Sequence, residues 1–407
     1  SNGDVLTQEE YYPYGGTAIS AGKSACEVKY KMVRYSGKER DASGLYYYGY
    51  RYYQPWLGRW LNPDPAEAVD GLNLFRMVRN NPIRLIDMLG MDAVDPTLAA
   101  YMAARSVMHR TIDGESVVSG LNKSNSSVIQ AREYLFHGRG NVTSDLKESQ
   151  EPFWRTIFGR NYTRKINGGL VSSTAVAIKM GAGNCGEHAN VTMAVHAGKI
   201  VENETVMIVD GADDFDHSWS ETELSSGDRV IMDAWAEGPA VMAEDSNFSQ
   251  DERNRNVFKS MNMHQGRMHN SKTMSRVADL TISGHIDREW KMYKKHAQRK
   301  DLKIDADHVW SPTDVLHQDF KDGVRKFQEK GLVKRRLRKE GVRSKGGVSR
   351  RIQLSREVAA VGAARALGAN VKEAVNVSSA VLFEMDRLVP QARASGNEGF
   401  FRRLFRR

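Results

Sequence analysis

The chain of 407 residues has two cysteines, Cys26 and Cys185. Two thiols 159 positions apart exclude a disulfide framework and cannot by themselves complete a cysteine-only zinc site, so both are expected free. No run of 18 apolar residues occurs, so no membrane-crossing helix is expected. The opening, SNGDVLTQEEYY, lacks the basic region and apolar core of a signal peptide and reads as the interior of a longer chain. Paired Cys/His ligand spacing, EF-hand spacing and a His-Asn-His nuclease pattern are also missing, and neither metal nor other cofactor is expected.

What is present is enough for two or three domains with real cores: 40% of the residues are apolar. The net charge of +9 is unevenly spread. Residues 1–91 hold 11 basic and 10 acidic residues, whereas 321–351 hold 13 basic and 3 acidic. That block, with LVKRRLRK at its heart, has the charge to meet phosphates of nucleic acid or an anionic membrane. A solvated helix face explains it equally well, and no aromatic residue interleaves with the basic run, so neither partner is favoured.

From Tyr11 to Trp60 tyrosines and tryptophans alternate with Gly, Pro and Asp turns, the composition of short twisted strands. No helical period is visible before about Gly71. The words YSGKERDASGLYYYGYRYYQPWLGRWLNPDP and DGLNLFRMVRNNPIRLID closely resemble the RHS repeat-associated core of the C components of bacterial insecticidal toxin complexes (TccC-like proteins), over roughly Tyr11 to Met91. The resemblance implies a β-shell that encloses a variable C-terminal toxin and cuts the chain at its own end. It implies two carboxylates, Asp64 and Asp87, assisted by Arg51, with scission near Gly90 or Met91. Two close acids sharing a proton suit that chemistry. The family's Asp-Pro-x-Gly stands here as Asp64-Pro65-Ala66-Glu67 and again as Asp87-Met88-Leu89-Gly90, each keeping its Asp and losing another element.

Beyond Met91 that resemblance stops. Helical spacing predicts helices over Pro96–His109 and Ser127–Phe136, while Gly168–Lys179 reads as helix or strand. In GAGNCGEHANVTMAVHAG, Gly181, Gly183 and Asn184 make a tight turn and Gly186–Ala197 a buried helix, with Cys185 at its N-terminus. Helix dipole and free N–H groups there favour a thiolate and can hold an oxyanion. The bland alternative for Cys185 is a buried small hydrophobe. A thiolate needs an imidazole and an orienting carboxylate. His217 follows the apolar run Val206–Val209, and Asp233 falls in the second strand of a hairpin, within about two positions of opposite His217. His188, one turn beyond Cys185, competes as base but points along its own helix. Trp219 and Trp235 read as core packing, and Asp210, Asp213, Asp214 and Asp216 as a solvated acidic loop.

The words GNCGEHA, HSWSE and VIMDAWAEGPAV, in that order, resemble the papain-like fold in its transglutaminase-like variants. The resemblance implies Cys185 as nucleophile, His217 as general base and acid, and Asp233 as orienter of the imidazole. The fold class expected is α+β: a β-rich RHS core segment over 1–91, a papain-like cysteine toxin domain over 92–285 with its core at about 165–245, and a basic, mostly helical region over 286–407. Residues 286–345 read as polar helix and Ile352–Leu388 as two helices. The function expected is a secreted toxin that partners an RHS/Tc shell and translocation components, reaches the target-cell cytosol and modifies a host protein. Glutamine deamidation is the first reading, with transglutaminase or cysteine protease on the same triad as alternatives. A binding toxin using the basic tail, with Cys185 merely structural, is the alternative of another class.

Overall fold

The computed structural model describes residues 7–24, 28, 31–48, 51–63, 73, 75–78, 82, 94–212, 216–248, 253, 255–329, 338, 341 and 347–390. The chain forms two compact units, residues 1–99 with 360–381, and residues 100–359 with 382–407.

The first unit carries a hairpin, β1 (Thr7–Tyr11) and β2 (Thr17–Gly22), and a meander of β3 (Glu39–Arg40), β4 (Tyr46–Tyr47), β5 (Tyr52–Gln54) and β6 (Arg59–Trp60). Its strands are short, so cross-strand ring packing carries the stability. The antiparallel register aligns Tyr46 with Tyr53 and Tyr53 with Trp60. Successive side chains alternate faces, which is what the run YYY needs: Tyr46 and Tyr48 are buried, and Tyr47 between them meets Tyr52 on the exposed face. Tyr48, Tyr53 and Trp60 meet edge to face at 5.0–6.0 Å. Two hydroxyls of this core are served locally: Tyr53 donates to the Tyr14 carbonyl at 2.8 Å and Tyr46 to that of Gly15 at 3.2 Å. The unbroken β reading is corrected at Val28, which is helical, its N–H reaching the Ser24 carbonyl at 3.3 Å.

The second unit is built on helices and an antiparallel sheet, an α+β arrangement. Its elements are α1 (Pro96–Val107), α2 (Glu115–Tyr134), β7 (Gly138–Arg139), α3 (Thr143–Leu146), α4 (Glu151–Lys165), α5 (Leu170–Met180), β8 (Ala182–Gly183), α6 (Cys185–Ala197), β9 (Thr205–Gly211), β10 (Ser218–Glu223), β11 (Arg229–Met232), β12 (Val241–Met242), β13 (Arg255–Asn262), α7 (Met263–Ser283), α8 (His285–Arg299) and α9 (Gln318–Glu329). Two later helices, α10 (Val348–Ala366) and α11 (Val371–Leu388), have residues in both units, as does α1. The sheet runs β12-β11-β10-β9-β13.

Helix α6 is the axis of this unit. From Val191 to Ala197 every residue is buried, polar Thr192 and His196 included, and the helix packs against α2, α5, α7, β9 and β10. Polar contacts fix its position: Ser220 donates to the Ala189 carbonyl at 2.7 Å, Asn270 to that of Ala194 at 2.8 Å, and the Ser127 hydroxyl lies 3.0 Å from His196 Nδ1. A second cluster, Phe158, Tyr162, Val176, Met180, Leu280, Ile286 and Trp290, joins α4, α5, α7 and α8.

Several sequence expectations need adjusting. Helix α2 begins at Glu115, well before Ser127. Its buried face includes Ser124, Asn125 and Ser127, which hides the apolar period; Ser124 and Ser127 satisfy their hydroxyls on carbonyls one turn back. The Gly168–Lys179 ambiguity resolves as helix α5. The polar helix expected over 286–345 is interrupted: between α8 and α9 the chain runs mostly extended, with bridges Val142–Trp310, Glu237–Asp314 and Ser246–Leu316, and Pro312 lies within that stretch.

Candidate active site

Helix α5 ends at Gly181, whose φ of +69° is the left-handed region that glycine adopts freely. Two residues of β8 pair with β7, and Asn184, extended at φ −95° and ψ −165°, opens α6. The Asn184 N–H donates to Glu187 Oε2 at 2.9 Å, and Arg160 holds the same carboxylate with two bonds of 2.7 and 2.8 Å. Cys185 is therefore the first residue of α6, partly exposed, on a helix end fixed from two sides. Arg160 is close enough to Cys185 for the two to interact electrostatically.

His217 stands immediately before β10 and Asp233 immediately after β11. Asp233 is thus not in the second strand as the sequence suggests. Its Oδ1 accepts from the N–H groups of Trp235 and Ala236 at 2.9 and 3.0 Å, a side-chain turn that stops the ladder. The other oxygen, Oδ2, lies 2.6 Å from His217 Nε2. Cys185 is within hydrogen-bonding reach of the same ring. With Nε2 committed to Asp233, Nδ1 is the nitrogen left to face the sulfur.

The electrostatics follow from this arrangement. Burial alone would favour the neutral ring. The Asp233 charge and hydrogen bond, with those of Cys185, outweigh burial and raise His217 to about 10. Burial likewise opposes the charge on Asp233, but His217 and the two backbone N–H groups hold its carboxyl below the ordinary value. His188, fully enclosed on the same helix as Cys185, is pushed the opposite way by burial, to about 4, and its Nδ1 lies 2.9 Å from the Asn184 carbonyl. One histidine of the pair is cationic at neutral pH and the other neutral.

The surroundings hold this geometry and exclude water. Trp219 and His217 stack at 5.8 Å, and Trp235 and Phe248 close on the ring at 5.0 and 4.5 Å. Arg132 on α2 donates to the carbonyls of Asp233, Ala234, Ala236 and Gly238 at 2.6–3.3 Å, clamping the loop that bears Asp233. Arg139 donates to the Trp235 carbonyl at 2.8 Å and pairs with Asp145. Trp235 Nε1 donates to Asn141 Oδ1 at 3.0 Å. Sequence reading missed Arg132, Arg139, Asn141 and Phe248. Arg132, Arg139 and Asn141 lie 94–101 positions from the loop they serve, Phe248 just past VIMDAWAEGPAV, and only FHGRGN, rich in glycine, hinted at a turn near the site.

Of the self-cleavage residues, Arg51 is buried, with its guanidinium over the Trp60 ring at 4.3 Å. Asp64, Asp87, Gly90 and Met91 lie outside the described residues, as do Cys26, Asp213, Asp214 and most of LVKRRLRK. Asp210 accepts from Ser218 at 2.6 Å, and Asp216 is exposed. Among the described residues no group of three or more His, Cys, Asp or Glu side chains is placed to hold a metal ion, and no helix is long and apolar enough to cross a membrane.

No family model matches the chain. Over 94 residues, 23% of the chain, it is 69% identical to toxin subunit YenC2 of Yersinia entomophaga; over 89 residues, 22% of the chain, it is 66% identical to toxin subunit YenC1 of the same bacterium. The matches cover 10% and 9% of those proteins, so the chain spans about a tenth of the length of the curated relatives it matches. A crystal structure of TcdB2–TccC3–Cdc42 matches at 66% identity over 22% of this chain and 4% of that one, with a TM-score of 0.22. The Photorhabdus luminescens Tc holotoxin pore matches at 63% identity over 23% of this chain and 4% of that one, again with a TM-score of 0.22. One region of this protein, rather more than a fifth of it, is like the C component of a Tc toxin.

Proposed function

We propose that Cys185, His217 and Asp233 act together in acyl transfer, and that the unit bearing them is a papain-like cysteine toxin that deamidates glutamine side chains of a host protein. The observation that carries this reading is a single imidazole shared between Asp233 Oδ2, at 2.6 Å, and Cys185. A protonated imidazole beside a thiol at a helix N-terminus is an environment in which the thiolate forms. The thiolate adds to the carboxamide carbon. His217 then gives its proton to the departing ammonia, leaving a thioester on Cys185. The neutral ring takes a proton from water, which attacks the thioester and releases the glutamate carboxyl and the free thiol. Asp233 holds the ring in register throughout.

The likeness to Tc C components supports the setting: a bacterial Tc-type toxin component, secreted, assembling with shell and translocation partners, whose C-terminal part is the payload delivered to the target-cell cytosol. The test is intact-mass analysis of host proteins exposed to the wild type and to Cys185→Ala. Conversion of an amide to an acid adds about 1 Da and is expected only with the wild type. Cross-linked products would turn the reading to a transglutaminase and fragments to a protease. Identical host proteomes with retained toxicity of Cys185→Ala would overturn it in favour of a binding toxin.

A further inference from the structure

The turn that presents Cys185 borders a cavity of about 200 Å3 between α4, α5 and the start of α6. Its buried wall is apolar, made by Val176, Ala177 and Met180 of α5. Arg155, Arg160 and Arg164 of α4 line it with Glu187 of α6, three cations against one carboxylate. The space is smaller than a drug-sized ligand needs and suits a single side chain. Arg160 and Glu187 belong to the cavity and to the nucleophile's turn alike. Their ion pair lines the cavity, Glu187 accepts from the Asn184 N–H at 2.9 Å, and Arg160 interacts electrostatically with Cys185.

The three guanidinium groups differ in what already holds them. Arg155 pairs with Glu151 at 2.6 Å, donates to the Met180 carbonyl at 3.0 Å and lies over the Trp290 ring. Arg160 is taken by both oxygens of Glu187. Arg164, one helical turn past Arg160 and exposed, has no carboxylate partner among the described residues; it donates only to Asn161 Oδ1 on its own helix, at 3.2 Å. The wall thus offers one uncommitted positive charge beside an apolar surface. A phosphate cluster would call for several uncommitted donors. A single guanidinium matches a single carboxylate, which it can hold through two parallel bonds. Methylene groups leading to that carboxylate would cover Val176, Ala177 and Met180.

We propose that this cavity is a substrate subsite for an acidic side chain, a glutamate of the target protein close to the residue that Cys185 attacks, and that Arg164 selects it. This rests on the acyl-transfer reading above and adds to it the substrate class: targets whose reacting side chain has an acid beside it. Arg160 is a positioning residue here, since its charge is spent on Glu187 and it fixes the border between subsite and nucleophile.

The test labels Cys185 with N-iodoacetyl ω-amino acids of increasing chain length, each compared with its own primary amide and read by peptide mass. Acid and amide have the same reach and differ in charge, so their rate ratio cancels changes in the sulfur itself. The full chain is expected to prefer the acid at one length. Arg164→Gln should reduce that preference about fivefold at that length and leave the other lengths unchanged, and Arg164→Glu should turn it into a preference for the amide. No length-dependent preference in the wild type would overturn the subsite. So would a preference that survives both variants, or an equal loss at every length, which is the mark of a general field. Iodoacetamide that labels Cys185 no faster than Cys26 would overturn the acyl-transfer reading whatever the acids do, whereas fast labelling without acid preference overturns the subsite alone.

Discussion

The two units hold their buried cations in opposite ways. In the first, Arg51 lies against the face of Trp60, within a core of tyrosines set on strands of two or three residues. In the second, His217 is charged because a carboxylate and a thiol flank it, on a scaffold of long helices and a five-stranded sheet. An aromatic face tolerates a cation without directing a proton anywhere. A carboxylate on one ring nitrogen and sulfur on the other direct it along one line. The first arrangement is suited to holding a shape, the second to moving a proton.

The contrast can be broken at its strongest point first. Cys185→Ala should abolish rapid labelling by iodoacetamide near neutral pH while any slow labelling of Cys26 persists, as read by intact mass. Equal, slow labelling of both thiols in the wild type would remove the distinction between the units. Next is Asp233→Ala, which leaves the His217 cation buried without its partner and frees the Trp235 and Ala236 N–H groups. A loss of about 3–5 kcal/mol in denaturant unfolding is expected, with slower Cys185 alkylation. Asp233→Asn should recover part of the stability and little of the reactivity.

A pH series sharpens the contrast further. His217 binds its proton more tightly folded than unfolded, so its stabilising contribution is complete below about 6.5, the ordinary histidine value, and is lost as pH rises towards 10. His188 runs the other way: held neutral down to about 4, it favours the fold above about 6.5 and progressively opposes it as pH falls from there to 4. Unfolding free energy measured in His217→Gln should lose the alkaline decline, and in His188→Gln the acid one. The smallest effect belongs to the first unit. Arg51→Ala should cost about 0.5–2 kcal/mol through the lost ring contact and leave the alkylation rate of Cys185 unchanged.

The helix behind Asn184 was legible because a Gly-Asn turn precedes an apolar run, and the pairing of His217 with Asp233 because a Ser-Ser-Gly-Asp turn fixes a hairpin and its register. Aromatic residues broken by Gly, Pro and Asp turns marked the short strands of the first unit. The start of α2 was hidden by its buried serines and asparagine, and the end of β11 by a side-chain turn that looks in sequence like one more strand residue. Arg132 had no local signature, and Asn141 only the glycine-rich FHGRGN that it ends. Their roles come from tertiary approach, 101 positions from Asp233 in one case and 94 from Trp235 in the other.

The bonds of Arg132 to the carbonyls of Ala234, Ala236 and Gly238 are made to main-chain oxygens, which every residue type supplies. Asp233 is thus anchored through the backbone of its loop, while the packing of Trp235 against His217 and the φ of +111° at Gly238, rather than the clamp, restrict which residues this segment can carry.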